Sequence, residues 1–282
     1  EPDASTDCMP IYQGGWPCNP DRDALPSPAW EGECPGAVGC ACGPDEAFDG
    51  IIEDERCTSG LCTGIAGADS NGGRCYSGGG VAMPRFYGVD QFGDRVDLYD
   101  LVGRGQHVVL NVMSLSGLQD GGYTDWISGG GMERPELSRY SMVPEAVSNG
   151  SVLWVTVIES GVAQEPATDA DVAAWYSSYR VPSIPVISDP ESRLSRYFGA
   201  SGRYGLPYLV LLSPDMTVIE NGAENNQPVL ETLRDLWHRG RLGAPAVDCL
   251  PVYEGGWPCN VQKEQLPTPA WEGPCPGSVG CA

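Results

Sequence analysis

The sequence predicts an α/β fold: a layered central domain between two small, disulfide-rich, mostly irregular terminal modules. Two observations predict it. All twelve cysteines fall between Cys8 and Cys75 or between Cys249 and Cys281, leaving 173 residues between Cys75 and Cys249 with none. Inside that middle, apolar runs of strand length alternate with segments of helical period. The expected division is residues 1–82 as a cysteine-rich N-terminal region, 83–244 as the α/β domain and 245–282 as a C-terminal module.

The two ends are copies of each other. Residues 8–41 align without a gap to residues 249–282, with 23 of 34 positions identical. Cys8, Cys18, Cys34 and Cys40 stand opposite Cys249, Cys259, Cys275 and Cys281, and the differences Asp23/Glu264, Arg22/Lys263 and Ser27/Thr268 keep charge or chemistry. Four cysteines that recur together imply two bridges inside each module, with three connectivities open. A unit this short cannot bury enough surface to fold on an apolar core, so the bridges are expected to be essential. Trp16 and Trp30, with Trp257 and Trp271 in the second copy, are expected to pack over them, the alternative being an exposed aromatic surface for a partner.

The first copy runs on into Cys42, Cys57, Cys62 and Cys75, which form a second mini-unit over 42–76. Between them the acidic run Asp45, Glu46, Asp49, Glu53, Asp54 and Glu55 has the hard oxygen ligands that suit Ca²⁺. It lacks the EF-hand spacing, so a solvated loop is the simpler reading. No cofactor is expected, and Ca²⁺ is the one candidate ion.

Even cysteine counts in Gly- and Pro-rich segments point to disulfides formed in an oxidising compartment, and so to an extracellular or cell-surface protein. Zinc is the rival, but His107 and His238, the only histidines, lie outside both clusters. A net charge of −22 argues against nucleic acid and anionic lipid as partners. No run of about 18 apolar residues is present to span a bilayer. The opening Glu1-Pro2-Asp3 is unlike an export signal, so the chain is expected in mature form.

Ser77-Gly78-Gly79-Gly80 reads as a flexible linker. Beyond it, His107–Met113 and Ser151–Ile158 are apolar runs suited to buried parallel strands. Val181–Ile187, Tyr208–Leu212 and Thr217–Ile219 are three shorter candidates. Thr168 with Asp171 forms a capping box for a helix that presents Val172, Trp175, Tyr176 and Tyr179 on one face. Asp189-Pro190 opens a helix over 191–198, and Leu230, Leu233, Leu236 and Trp237 make the stripe of a last helix.

Three stretches carry a family resemblance: RVDLYDLVGRGQHVVLNVM, ATDADVAAWYSSYRV followed by PVISDPESRLSRYFG, and GLPYLVLLSPDMTVIENG. Over roughly residues 83–240 the chain resembles the thioredoxin-like superfamily, especially its peroxiredoxin-like and extracytoplasmic branch. The resemblance implies a thioredoxin-like central fold, with Pro207 at the position of the cis-proline that faces the active site. It also implies that the two redox cysteines of relatives fall on Gly117 and Asp120. With no cysteine in the domain, thiol exchange and peroxide reduction there have no nucleophile. Ser114 and Ser116 are substitute candidates, but no base is legible beside them.

The expectation is therefore a non-enzymatic extracellular structural or interaction protein whose partner is itself, head to tail, or another surface protein. The alternatives are a redox protein whose dithiol lies in the cysteine-rich modules, with Cys40-Ala41-Cys42 the least ordinary spacing, and a ligand-binding site at the old active-site face near Gly117, Asp120 and Pro207.

Overall fold

The computed structural model describes residues 22–242 apart from 31, 36, 44–49, 54, 60, 65–72, 94, 117–120, 128–134, 180–183, 200–205 and 224. The C-terminal copy of the repeat, with Cys249, Cys259, Cys275, Cys281, Trp257 and Trp271, lies outside the described residues, as do Cys8, Cys18 and Trp16.

The front region is built on sulfur. Strands β1 (Ala41–Cys42), β2 (Gly50–Glu53), β3 (Leu61–Gly64) and β4 (Gly73–Cys75) form a small antiparallel sheet in the order β1-β4-β3-β2. Disulfides join Cys34 to Cys40, Cys42 to Cys62 and Cys57 to Cys75. Cys40, Cys42, Cys57, Cys62 and Cys75 are buried against one another and form the interior of the unit. Strands of two to four residues bury too little apolar area to hold themselves. Covalent closure takes the place of a core.

The glycine-rich stretch after Cys75 is not the free linker its composition predicts. Ser77 N donates to the Tyr197 carbonyl and Gly80 N to the Val218 carbonyl, while Asn221 Nδ2 donates to the Ser77 carbonyl. Gly79 lies so close to the sheet edge that a Cβ there would stand 3.0 Å from the Ile219 carbonyl oxygen. Here glycine serves close backbone approach rather than flexibility.

The central domain opens with a hairpin, β5 (Tyr87–Val89) and β6 (Arg95–Asp97), and a 3₁₀ turn over Leu98–Leu101 capped by Asp97, which accepts from Tyr99 N. Its main sheet contains β7 (His107–Ser114), β8 (Val152–Ser160), β9 (Val186–Ser188), β10 (Tyr208–Leu212) and β11 (Val218–Asn221), in the order β11-β10-β7-β8-β9. β7, β8 and β9 are parallel, and β10 and β11 run antiparallel to their neighbours. The helices are α1 (Gly121–Ile127), α2 (Met142–Ser148), α3 (Asp169–Tyr179), α4 (Arg193–Phe198) and α5 (Gln227–His238), with a 3₁₀ segment at Pro135–Tyr140.

Strand alternation explains why the central strands read as unbroken apolar runs. Val108, Leu110 and Val112 of β7, Leu153, Val155 and Val157 of β8, and Tyr208, Val210 and Leu212 of β10 face one layer with Phe86, Leu98, Leu194 and Phe198. Val109, Trp154, Leu209 and Leu211 face the opposite layer with residues of α1, α2 and α5. A sheet covered on both faces needs apolar residues at both parities. This strand order, with parallel βαβ crossovers followed by an antiparallel hairpin and a final helix, is a thioredoxin-like fold.

The Thr168–Asp171 box forms as expected, Thr168 N donating to Asp171 Oδ2 (2.8 Å) and Asp171 N to Thr168 Oγ1 (3.3 Å). The helix after Asp189-Pro190 begins later than the sequence predicts, at Arg193 instead of 191, because residues 190–191 form a turn. Asp189 still receives an N-terminal N–H of that helix, Leu194 N, at 2.9 Å. Gln91 pairs its side-chain amide with the edge at β9, donating to the Ile184 carbonyl and accepting from Val186 N. No helix among the described residues is long and apolar enough to cross a membrane.

Trp30 departs from expectation. It packs edge-on against Phe86 and Tyr197 of the central domain, at ring separations of 6.2 and 5.4 Å, rather than over the bridges. The module's own interior is filled by sulfur, and the apolar layer of the central domain offers the ring a larger surface.

Candidate functional site

Strands β7 and β8 end, and β10 begins, on one edge of the sheet, which is where open α/β folds place their ligands. Three hydroxyls meet at the ends of β7 and β8. Ser160 Oγ donates to Ser114 Oγ at 2.7 Å, Ser114 and Ser116 Oγ share a hydrogen bond of 2.8 Å, and Ser116 N donates to Ser114 Oγ at 3.2 Å. The serines satisfy one another. His107 is at the opposite end of the strand from Ser114, about 23 Å away at ~3.3 Å per residue, and burial lowers its pKa. His238 ends α5 and is no hydrogen-bond partner of Ser114 or Ser116. A serine nucleophile needs an adjacent base, and neither histidine is placed to serve.

One residue before Ser160, Glu159 points into the apolar layer on the other face. Its carboxylate accepts from Ser195 N at 3.0 Å and from Ser195 Oγ at 2.6 Å, pinning the first turn of α4 to the end of β8. Only 3% of the residue is exposed. Burial in this apolar layer pushes its pKa up to about 8, an effect that the Ser195 hydrogen bonds oppose and the neighbouring Asp189 charge reinforces. Burial therefore favours the protonated carboxyl over the charged one. Ser195 Oγ also lies 3.5 Å from Tyr208 Oη, so a line of polar atoms runs from Glu159 to the residue that follows Pro207. Burial raises the Tyr208 pKa well above its ordinary value.

Asp189 is fully buried and paired with Arg193, whose Nε donates to it at 3.1 Å. Burial raises its pKa, and Leu194 N and Arg193 pull it back. The Arg193 guanidinium lies over the rings of Phe86 (5.0 Å), Tyr87 (5.3 Å) and Trp30 (5.8 Å). One charge thus ties the start of α4 to the hairpin and to the N-terminal module.

Of the positions singled out in the sequence, Pro207 is at this edge. The Leu206–Pro207 bond is cis, and Asn226 holds the start of β10 by donating to the Pro207 carbonyl (2.9 Å) and accepting from Leu209 N (2.7 Å). Gly117 and Asp120 lie outside the described residues. So do Asp45, Glu46, Asp49 and Asp54 of the acidic run, while Glu53 is on β2 and Glu55 is exposed in a turn. Sequence reasoning missed Glu159, Ser195, Tyr208 and Asn226. A glutamate continuing the apolar run VLWVTVI was the available signal, since a charge in a doubly covered strand must lose its charge or find partners.

A second cluster lies in the front region, where the sulfurs of Cys42, Cys57 and Cys62 lie within 4.8 Å of one another. Each is already bonded, Cys42 to Cys62 and Cys57 to Cys75, so none is a free thiolate that would ligate a metal.

No protein-family model and no curated protein matches the chain. Solved structures with similar shape include an exposed lipoprotein thioredoxin of Streptococcus pneumoniae, at 19% identity and TM-score 0.38, covering 54% of this chain and 99% of that one. The thioredoxin domain of a thiol-disulfide oxidoreductase from Bacteroides vulgatus is 16% identical with TM-score 0.36, covering 57% and 97%. A peroxidoxin of Mycobacterium tuberculosis is 16% identical with TM-score 0.37, covering 57% and 99%.

Proposed function

We propose that this chain is a non-catalytic, extracellular interaction protein in which a thioredoxin-like domain serves as a rigid support for disulfide-stapled repeat modules. The observation that carries the reading is chemical: residues 76–248 contain no cysteine. Electron transfer through a dithiol and reduction of peroxide both begin with a thiolate, and this domain has none to offer. The edge where that chemistry would occur carries instead mutually bonded serines and a carboxyl committed to α4. Such groups can hold a proton or a polar ligand, but they do not exchange electrons. The disulfides support a location outside the cytoplasm, and the repeated modules supply surfaces for contact with a further copy or another surface protein.

The test is insulin reduction and peroxide consumption by the purified full chain with a dithiol electron donor. The reading requires rates equal to those of heat-inactivated protein. A second reading places a redox dithiol in the front region, and the close approach of the Cys42–Cys62 and Cys57–Cys75 bridges favours it, since a thiolate released from one has the other within reach. Activity that is lost in Cys42→Ser would establish that reading in place of the first.

A further inference from the structure

The N-terminal module is seated on the central domain by a small set of contacts. Trp30 lies against Phe86 and Tyr197 under the Arg193 guanidinium. Asp23 forms an ion pair with Arg85 (2.5 Å), and Arg85 N donates to Ser27 Oγ (2.8 Å). Tyr99 Oη reaches the Pro26 carbonyl at 3.5 Å, and Leu25 and Val38 pack against the same apolar layer. The seat is therefore an aromatic floor flanked by two guanidinium groups, and it takes a Trp, a carboxylate and a hydroxyl.

The C-terminal copy carries that whole set. Asp23, Leu25, Pro26, Ser27, Trp30 and Val38 correspond to Glu264, Leu266, Pro267, Thr268, Trp271 and Val279. Each keeps its carboxylate, hydroxyl, ring or apolar bulk. Among the described residues, the changes that do not preserve chemistry, Ala24 to Gln265 and Glu33 to Pro274, fall where the first copy is exposed. Bridges alone do not explain this pattern, because the aromatic partners of Trp30 belong to the central domain, and so its retention as Trp271 has a reason in docking. Each chain thus holds two copies of the docking set and one seat.

Resting on the interaction reading above, we infer that the seat formed by Arg85, Phe86, Tyr99, Arg193 and Tyr197 recognises the duplicated module, and that residues 263–281 of the C-terminal copy occupy it when the N-terminal copy is displaced. The N-terminal copy holds the seat in the structure through the Trp30, Asp23 and Ser27 contacts. Where the exchange is between chains it joins the tail of one molecule to the body of the next, which is heterologous, head-to-tail contact.

The test uses full chains carrying Trp30→Ala, Trp271→Ala or both, with hydrogen exchange read at the Arg85 amide, which donates to Ser27 Oγ. Either single variant is expected to retain the protection of the wild type, in Trp30→Ala because Thr268 replaces Ser27 as acceptor. The double variant is expected to exchange at least tenfold faster at Arg85, with β7 and β8 still protected. If Trp30→Ala alone exchanges as fast as the double variant, or the double variant is as slow as the wild type, the inference is wrong. Should Trp30→Ala also loosen β7 and β8, Asp23→Arg with and without Glu264→Arg replaces it, because Asp23 is exposed and its loss leaves the core intact. Light scattering of Trp30→Ala separates the two sources: mass that grows with concentration means capture between chains, and constant mass means capture within one. Insulin-reductase activity in the wild type would overturn the interaction reading without touching these exchange rates.

Discussion

Glu159→Gln is expected to change how stability depends on pH far more than it changes stability in acid. In the folded protein burial raises the Glu159 pKa from 4.5 to about 8. Below pH 4.5 the carboxyl is neutral whether the chain is folded or not, and its stabilising contribution is fully present. As pH rises from 4.5 to 8 the unfolded chain ionises and the folded one does not, so the unfolded state gains the advantage. Above pH 8 the loss is complete. A rise from 4.5 to about 8 corresponds to about 5 kcal/mol over that window, a large share of the ~5–15 kcal/mol typical of a domain. Glutamine keeps an acceptor for Ser195 N and cannot ionise. Urea unfolding with the disulfides intact, at half-unit steps from pH 4 to 9, measures the effect. The variant should gain on the wild type by about 4–5 kcal/mol between pH 4 and 9, with the midpoint of that gain inside the window. Parallel pH profiles for the two proteins, or a gain in the opposite direction, would refute the assignment of Glu159 as a buried, protonated carboxyl. Asp189 is also pushed up by burial, and because its charge acts on Glu159 the two groups titrate as a coupled pair in the wild type.

Three further outcomes follow from the geometry. Replacing Cys42 and Cys62 together by alanine opens a loop closed over a separation of 20 residues and should cost about 3 kcal/mol, read as proteolysis confined to residues 41–75 while the central domain keeps its circular dichroism. Gly199→Ala places a Cβ 2.6 Å from the Tyr76 ring at a φ of +77°, so thermal unfolding should show a loss on the order of 2 kcal/mol. Thr168→Ala removes one half of the capping box at the start of α3 and should cost about 1 kcal/mol, with no change in exchange at β10.

Much of the central fold was legible because local chemistry and global packing agree there. The runs at His107 and Ser151 became the two longest strands, and the Thr168 box and the Leu230 stripe became helices. α1 and α2 were not anticipated. α1 carries two glycines, Gly121 and Gly122, against which propensity speaks, and α2 is seven residues long with Pro144 in its first turn and no side-chain cap at Ser141 to mark its start. Packing against Trp154 and the other residues of that layer outweighs the propensity. The boundary at Asp189 slipped because a Pro–Glu turn and a helix start share the same residue types.

By itself the sequence determined the covalent and chemical limits of this protein: where sulfur lies, that the central domain has no thiolate, that its strands are covered on both faces, and that one module occurs twice. These are properties of residue identity and period, which need no coordinates. Only the tertiary structure decided which groups meet. Composition read Ser77–Gly80 as slack chain, and hydrogen bonds to Tyr197, Val218 and Asn221 fasten it to the domain. Glu159 looked like one acid among many until the apolar layer around it removed the water that keeps a carboxyl charged. Trp30 looked like a module's own core residue until its ring was found against Phe86 and Tyr197. Burial and partner choice depend on residues far apart in the chain, and only folding brings those together.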